Sequence, residues 1–205
     1  CIRDRFATAT RENGVWVYKT DDWSGALLIP DVRGDVGLRF SPDGNKLVVL
    51  GESEGWLIDL GSGEIDQKLR WEVSPENYNA MAKAFSSDGS LLAVGTPDNK
   101  IHLWNLQTRE ILPMAVMDGH VAGIRGLCFS PDGRTLVSCG DKRVKLWNVE
   151  LGQELFTLHL AKTETARPIF SPDGNCLVTS TSEPGLHFWI APSWEEISQG
   201  QPENH

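Results

Sequence analysis

Phe-Ser-Pro-Asp-Gly occurs three times in this chain, at Phe40–Gly44, Phe129–Gly133 and Phe170–Gly174, with a variant Phe-Ser-Ser-Asp-Gly at Phe85–Gly89. The copies stand 45, 44 and 41 residues apart. Behind each comes a second landmark: Leu57-Ile58-Asp59, Leu103-Trp104-Asn105, Leu146-Trp147-Asn148 and Phe188-Trp189-Ile190, with an upstream counterpart at Val17-Tyr18-Lys19. A period of roughly 20 to 50 residues marks a chain made of one supersecondary unit stacked on copies of itself, because no unit can bury its apolar faces alone.

Each unit reads as four short strands. In Ser-Pro-Asp-Gly the Pro presets φ, the Gly tolerates positive φ and the Asp can accept neighbouring backbone N–H groups, so the motif predicts a tight turn between antiparallel strands. In the third unit the strands are expected at 124–130, 134–139, 144–149 and 154–160. Val144 and Leu146 alternate with Lys145 and Trp147, so both faces of that strand carry bulk and both need covering. Helices find little room: no stretch free of both Gly and Pro exceeds 15 residues.

These residues resemble the WD-repeat (WD40) family of β-propellers, over residues 6 to 190. The Trp-Asp pair that names the family is Trp-Asn twice here, Trp-Ile once, Ile-Asp once and Tyr-Lys once. The resemblance implies an all-β fold of four-stranded antiparallel blades: a partial repeat over 1–24, full repeats over 25–63, 64–108, 109–152 and 153–190, and a tail over 191–205. In the family the repeat runs outer strand, inner strand, then two middle strands. On that offset residues 6–19 supply two strands and the four repeats sixteen more, an incomplete ring whose missing strands are expected upstream of Cys1.

The single Gly-His pair, Gly119-His120, lies ahead of Trp147. With Ser138, Asp141 and Trp147, His120 resembles the family's buried hydrogen-bonded tetrad, in which an imidazole must donate from one nitrogen and accept at the other. His120, Ser138 and Asp141 also match the residue types of a hydrolase triad, but Ser138 falls within an expected strand rather than on an exposed elbow. Six residues before each anchor stand Glu12, Glu52, Asp98, Asp141 and Glu183, all acidic. Short carboxylates suit this turn because they accept unpaired backbone N–H groups. Two residues before each anchor stand Trp16, Trp56, His102, Lys145 and His187, expected to pack between blades with polar tips at the rim. Lys142, Arg143 and Lys145 read as a solvated basic rim.

With 40% hydrophobic residues the chain has the apolar share of a globular domain, and its longest apolar runs are too short for a membrane-spanning helix. A net charge of −9 repels phosphate backbones, which argues against nucleic acid. The four cysteines form no Cys-x-x-Cys pair, which points to free thiols in a reducing, cytoplasmic setting and to no zinc site. No cofactor or other metal is expected. The function expected is a non-catalytic protein-interaction scaffold. The alternatives are a sensor or regulatory propeller belonging to a multidomain signalling enzyme such as a kinase or protease, and a hydrolase using His120, Ser138 and Asp141. The partner is expected to be a protein or peptide, with a basic segment suited to a face bearing Asp31, Asp35, Glu52, Glu54, Asp98 and Glu183 and Trp71 as an anchor. Open edges would further favour self-association or pairing with the remainder of a propeller.

Overall fold

The Ser-Pro-Asp-Gly turns organise the backbone. In the computed structural model the Gly N–H of each turn donates to the Ser carbonyl three residues back, at 3.0 Å for Gly44 and 2.9 Å for Gly89, Gly133 and Gly174. These glycines have φ between +72° and +78°, where a Cβ is disfavoured. The Ser hydroxyl closes the turn from inside: Ser130 Oγ donates to Asp132 Oδ1 at 2.6 Å and accepts from Thr135 N at 2.9 Å. Ser41 and Ser86 repeat the arrangement with Asp43 and Asp88. The Ser hydroxyl, together with nearby backbone N–H groups, holds the carboxyls of Asp43, Asp88, Asp132 and Asp173 below the usual range.

The structure describes residues 5–10, 14–22, 27–29, 37–51, 54–70, 82–96, 98–108, 110–159, 165–181 and 185–190. Among these there is no helix, and eighteen strands form five antiparallel sheets. The first sheet contains β1 (Arg5–Thr10), β2 (Gly14–Lys19) and β3 (Leu27–Ile29). The second is β4 (Gly37–Phe40), β5 (Lys46–Leu50), β6 (Glu54–Asp59) and β7 (Ile65–Arg70). The third is β8 (Lys83–Phe85), β9 (Leu91–Gly95), β10 (Ile101–Asn105) and β11 (Glu110–Met117). The fourth is β12 (Ile124–Phe129), β13 (Thr135–Gly140), β14 (Arg143–Asn148) and β15 (Gln153–His159). The fifth has β16 (Thr165–Phe170), β17 (Cys176–Thr181) and β18 (Leu186–Ile190). Each sheet is a meander in chain order, and the strands of the fourth lie within about one residue of the positions expected from the repeat.

The period-2 alternation of the middle strands feeds two cores at once. Leu47 and Val49 of β5 pack with Ile58 against Val15 and Val17 of the first sheet. Val48 and Leu50, pointing the other way, pack with Leu57 and Leu69 against Phe85, Leu92 and Trp104 of the third. The same exchange joins third to fourth through Ile101, Leu103, Ile124 and Trp147. Val137, Cys139 and Val144 then meet Leu177 of the fifth. Neighbouring turns also touch: Ser87 Oγ donates to Pro131 O at 2.7 Å, and the Arg5 guanidinium donates to Gly44 O at 3.2 Å. Sheets thus stack in sequence order as blades. Among the described residues no strand of the first sheet pairs with one of the last, so no closed ring forms.

Candidate functional site

Gly140 and Arg143 face each other across β13 and β14, leaving Asp141 and Lys142 as a two-residue loop. Both have positive φ, 43° and 62°, the pair of left-handed residues that a type I′ hairpin requires. Asp is among the residues that tolerate this conformation. The loop aims the Asp141 carboxylate inward: Oδ1 lies 2.7 Å from His120 Nδ1, while Oδ2 accepts from Val121 N at 3.0 Å and from the Arg143 guanidinium at 3.1 Å.

Beyond the imidazole, His120 Nε2 lies 2.6 Å from Ser138 Oγ, and Trp147 Nε1 donates to the same oxygen at 2.8 Å. One proton arrangement satisfies every group. Trp147 N–H donates to Ser138 Oγ, Ser138 O–H donates to Nε2 of a neutral His120, and Nδ1–H donates to Asp141. Burial holds the His120 pKa below its ordinary value, outweighing the pull of Asp141. Ser138 is 0% exposed, His120 5% and Trp147 2%. Gly119 lets this loop lie on the blade, since a Cβ there would come within 3.1 Å of the Trp147 ring and 3.2 Å of Glu154 Oε2.

Lys145 extends the network, packed in as its column implies but departing from the expected solvated rim. Rather than forming part of a solvated rim, it is 6% exposed, with Nζ 2.6 Å from Glu154 Oε2 and 2.9 Å from Thr157 Oγ1, and 5.7 Å from the centre of the Trp147 ring. Its strand is interior on both faces, and β15 supplies the carboxylate that makes the burial tolerable. That same hydrogen bond from Lys145 holds the Glu154 carboxyl below its usual range. Glu154 and Thr157 escaped sequence reasoning because the outer strand carries no repeated landmark.

The other blades lack the full chain of bonds. In the third sheet Val94 stands opposite His102, where the fourth sheet sets Ser138 opposite Lys145. Without that hydroxyl, His102 rests 5.7 Å from the Trp104 ring, and both its ring nitrogens are buried without a hydrogen-bond partner among the described residues. In the fifth sheet Thr179 stands opposite His187 and accepts from Trp189 Nε1 at 3.3 Å, half of the arrangement.

Of the expected acidic face, Asp98 accepts from Thr96 Oγ1 at 2.5 Å and stands 3.7 Å from Lys100 Nζ. Glu54 opens β6, opposite Arg70. Asp31, Asp35, Glu52, Trp71 and Glu183 lie outside the described residues.

Stacked antiparallel meanders of three or four strands, with Ile58, Trp104, Trp147 and Trp189 on the third strand of the second to fifth, define a propeller-type repeat protein. The family is that of the WD repeats, and the chain belongs to it: the model described as "WD domain, G-beta repeat" matches residues 76–105 and 112–148. An uncharacterized WD repeat-containing protein of Synechocystis is 32% identical over 180 residues, covering 84% of this chain and 49% of that protein. Human apoptotic protease-activating factor 1 is 34% identical over 114 residues, 53% of this chain and 9% of that protein. The mouse periodic tryptophan protein 2 homolog is 32% identical over 126 residues, 60% of this chain and 13% of that protein. The chain therefore spans about half of the Synechocystis relative and a small part of the other two.

Proposed function

We propose that the chain is a non-catalytic scaffold that binds other proteins, working in a reducing compartment such as the cytoplasm. The burial of Ser138 carries the first part. Ser-His-Asp geometry is present, but the Oγ has no access to a substrate and its hydrogen-bonding capacity is used by Trp147 and His120. A nucleophile needs a reachable oxygen and a vacant position for the oxyanion beside it. The tetrad instead ties the β13–β14 loop and the segment before β12 to the blade. The described cysteines, Cys128, Cys139 and Cys176, are free thiols, which supports the compartment.

The second reading, a regulatory propeller within a larger signalling protein, draws on one observation. The human relative, named for activating a protease, matches this chain over only 9% of its length, so a stretch similar to this chain occurs there within a much longer protein.

Two measurements test the proposal. A fluorophosphonate serine probe is expected to leave Ser138 unlabelled in folded protein, and labelling there would restore the hydrolase. Crosslinking mass spectrometry in cells is expected to place residues of another protein against exposed loops of this chain; absence of any inter-protein crosslink would sink the scaffold.

A further inference from the structure

Four inner strands bring together a set of cations that the repeat does not display. Arg39 of β4, Lys83 of β8, Arg125 of β12 and Arg167 of β16 all line one cleft of about 910 Å³. Among the described residues that line it there is no carboxylate, although the chain as a whole carries a net charge of −9. Two of the four sit at irregularities. The register between β12 and β13 slips at Arg125, and that between β16 and β17 slips between Thr165 and Pro168, where Arg167 lies. A bulge re-aims the side chains it contains, and bulges gather next to binding sites. Lys83 is packed on β4: a Cβ on Gly37 would lie 1.9 Å from its Nζ. Burial, with the Arg39 charge beside it, lowers the Lys83 pKa to about 8, so a cation is held where an opposite charge would relieve it.

Between the cations the wall is mainly apolar, with Ser87, Ser130, Ser171 and Ser180 interspersed. Phe85 and Phe129 form its base, and Ile169 and Leu186 stand at its lip, 63% and 58% exposed. A volume below ~1,000 Å³ suits a short segment rather than a folded surface. A phosphate polymer would meet the field of a net −9 chain and gain nothing from the aliphatic wall. We propose that this cleft is the docking site for a partner-protein segment in which acidic residues alternate with apolar ones, its carboxylates meeting Arg39, Lys83 and Arg167 and its apolar side chains covering Ile169 and Leu186. This assignment rests on the reading of the chain as a protein-binding scaffold and reverses the charge of the partner expected from the sequence.

The test is fluorescence anisotropy of the intact chain with a labelled peptide, Glu-Leu-Glu-Phe-Glu-Leu-Glu, against its Lys-for-Glu counterpart and an oligothymidylate. The acidic peptide should bind, more weakly as salt rises, and the other two should not. Arg39→Glu with Arg167→Glu should weaken it at least about tenfold, while the same charge change on exposed strand and turn positions, Lys68→Glu with Lys142→Glu, should leave it within about twofold. A benzophenone on the peptide's Phe should crosslink to β8, β12 or β16 of the wild-type chain, which reads the site even if the double reversal fails to fold. Equal binding of the basic peptide, equal loss in both charge-reversed variants, crosslinks elsewhere, or binding of oligothymidylate alone would each overturn the proposal. No binding of the acidic peptide, in a chain that still crosslinks to proteins through other loops, would overturn the cleft and leave the scaffold standing.

Discussion

At Ser138 one hydroxyl serves two buried partners, and this makes the fourth sheet's tetrad cooperative. Ser138→Ala would leave both Trp147 Nε1 and His120 Nε2 without the partners found at 2.8 and 2.6 Å. An unpaired buried polar group costs ~1–3 kcal/mol. Ser138→Ala is therefore expected to lower Tm by about 4–8 °C, taking about 2 kcal/mol and the usual scaling for a chain of this size. His120→Ala should cost a similar amount, and the double variant less than the two combined, because residues sharing one network couple. Calorimetry on the three variants checks this; additive losses would mean that the hydrogen bonds are not one unit. The residue types of the tetrad were expected from the resemblance to the WD-repeat family, with Gly119-His120 ahead of Trp147 as the landmark. The partner of Lys145 was not: its column implied a buried stem with the ammonium at the rim, and only the approach of Glu154 from an outer strand makes burial of the charge itself affordable.

At the level of elements, the turns were the most readable part of the chain, because their geometry is dictated by local φ preference. Gly133 offers a clean measure of that preference: its φ is +73°, and a Cβ placed on it would meet nothing within 4 Å. Gly133→Ala is then expected to cost ~1 kcal/mol from backbone conformation alone. Gly133→Asn, which tolerates the left-handed region better, should cost less than half as much. Urea unfolding of the pair decides it, and equal losses would show that side-chain crowding, not φ, governs the position. The β13–β14 hairpin was less readable. Its loop is the two residues Asp141 and Lys142, whereas Thr96 to Lys100 intervene between β9 and β10, so the same acidic column serves two different loops. In one the carboxylate reaches His120, and in the other it answers Thr96.

On the scale of the molecule, the two end sheets expose the faces that interior sheets bury. On the fifth sheet Phe188 and Ile190 are 61% and 73% exposed, on the side opposite to Leu177 and Trp189. On the first, Phe6 and Leu28 are 49% and 40% exposed, on the side opposite to Val15 and Val17. Interior blades bury the corresponding faces against each other, so the last face of one copy can receive the first face of the next, a head-to-tail association. Light scattering of the isolated chain is expected to show mass growing with concentration in the micromolar range. Phe188→Glu should suppress the growth without changing the fold of the fourth sheet. A concentration-independent monomer would show that these apolar faces do not associate with one another.

The period, the turns, the strands and the membership of each inward-facing column were all present in the sequence, because they follow from backbone preferences and from a repeat of alternating side chains that acts over a few residues. Tertiary structure alone decided which charges meet. Arg39, Lys83, Arg125 and Arg167 stand one, two, four and three residues before their repeat's Phe, in no common column, and no periodicity could have gathered them. Two register slips and the convergence of four inner strands bring them to one cleft. Electrostatic neighbours are set by distances through space between separate blades, and those distances exist only once the blades have packed.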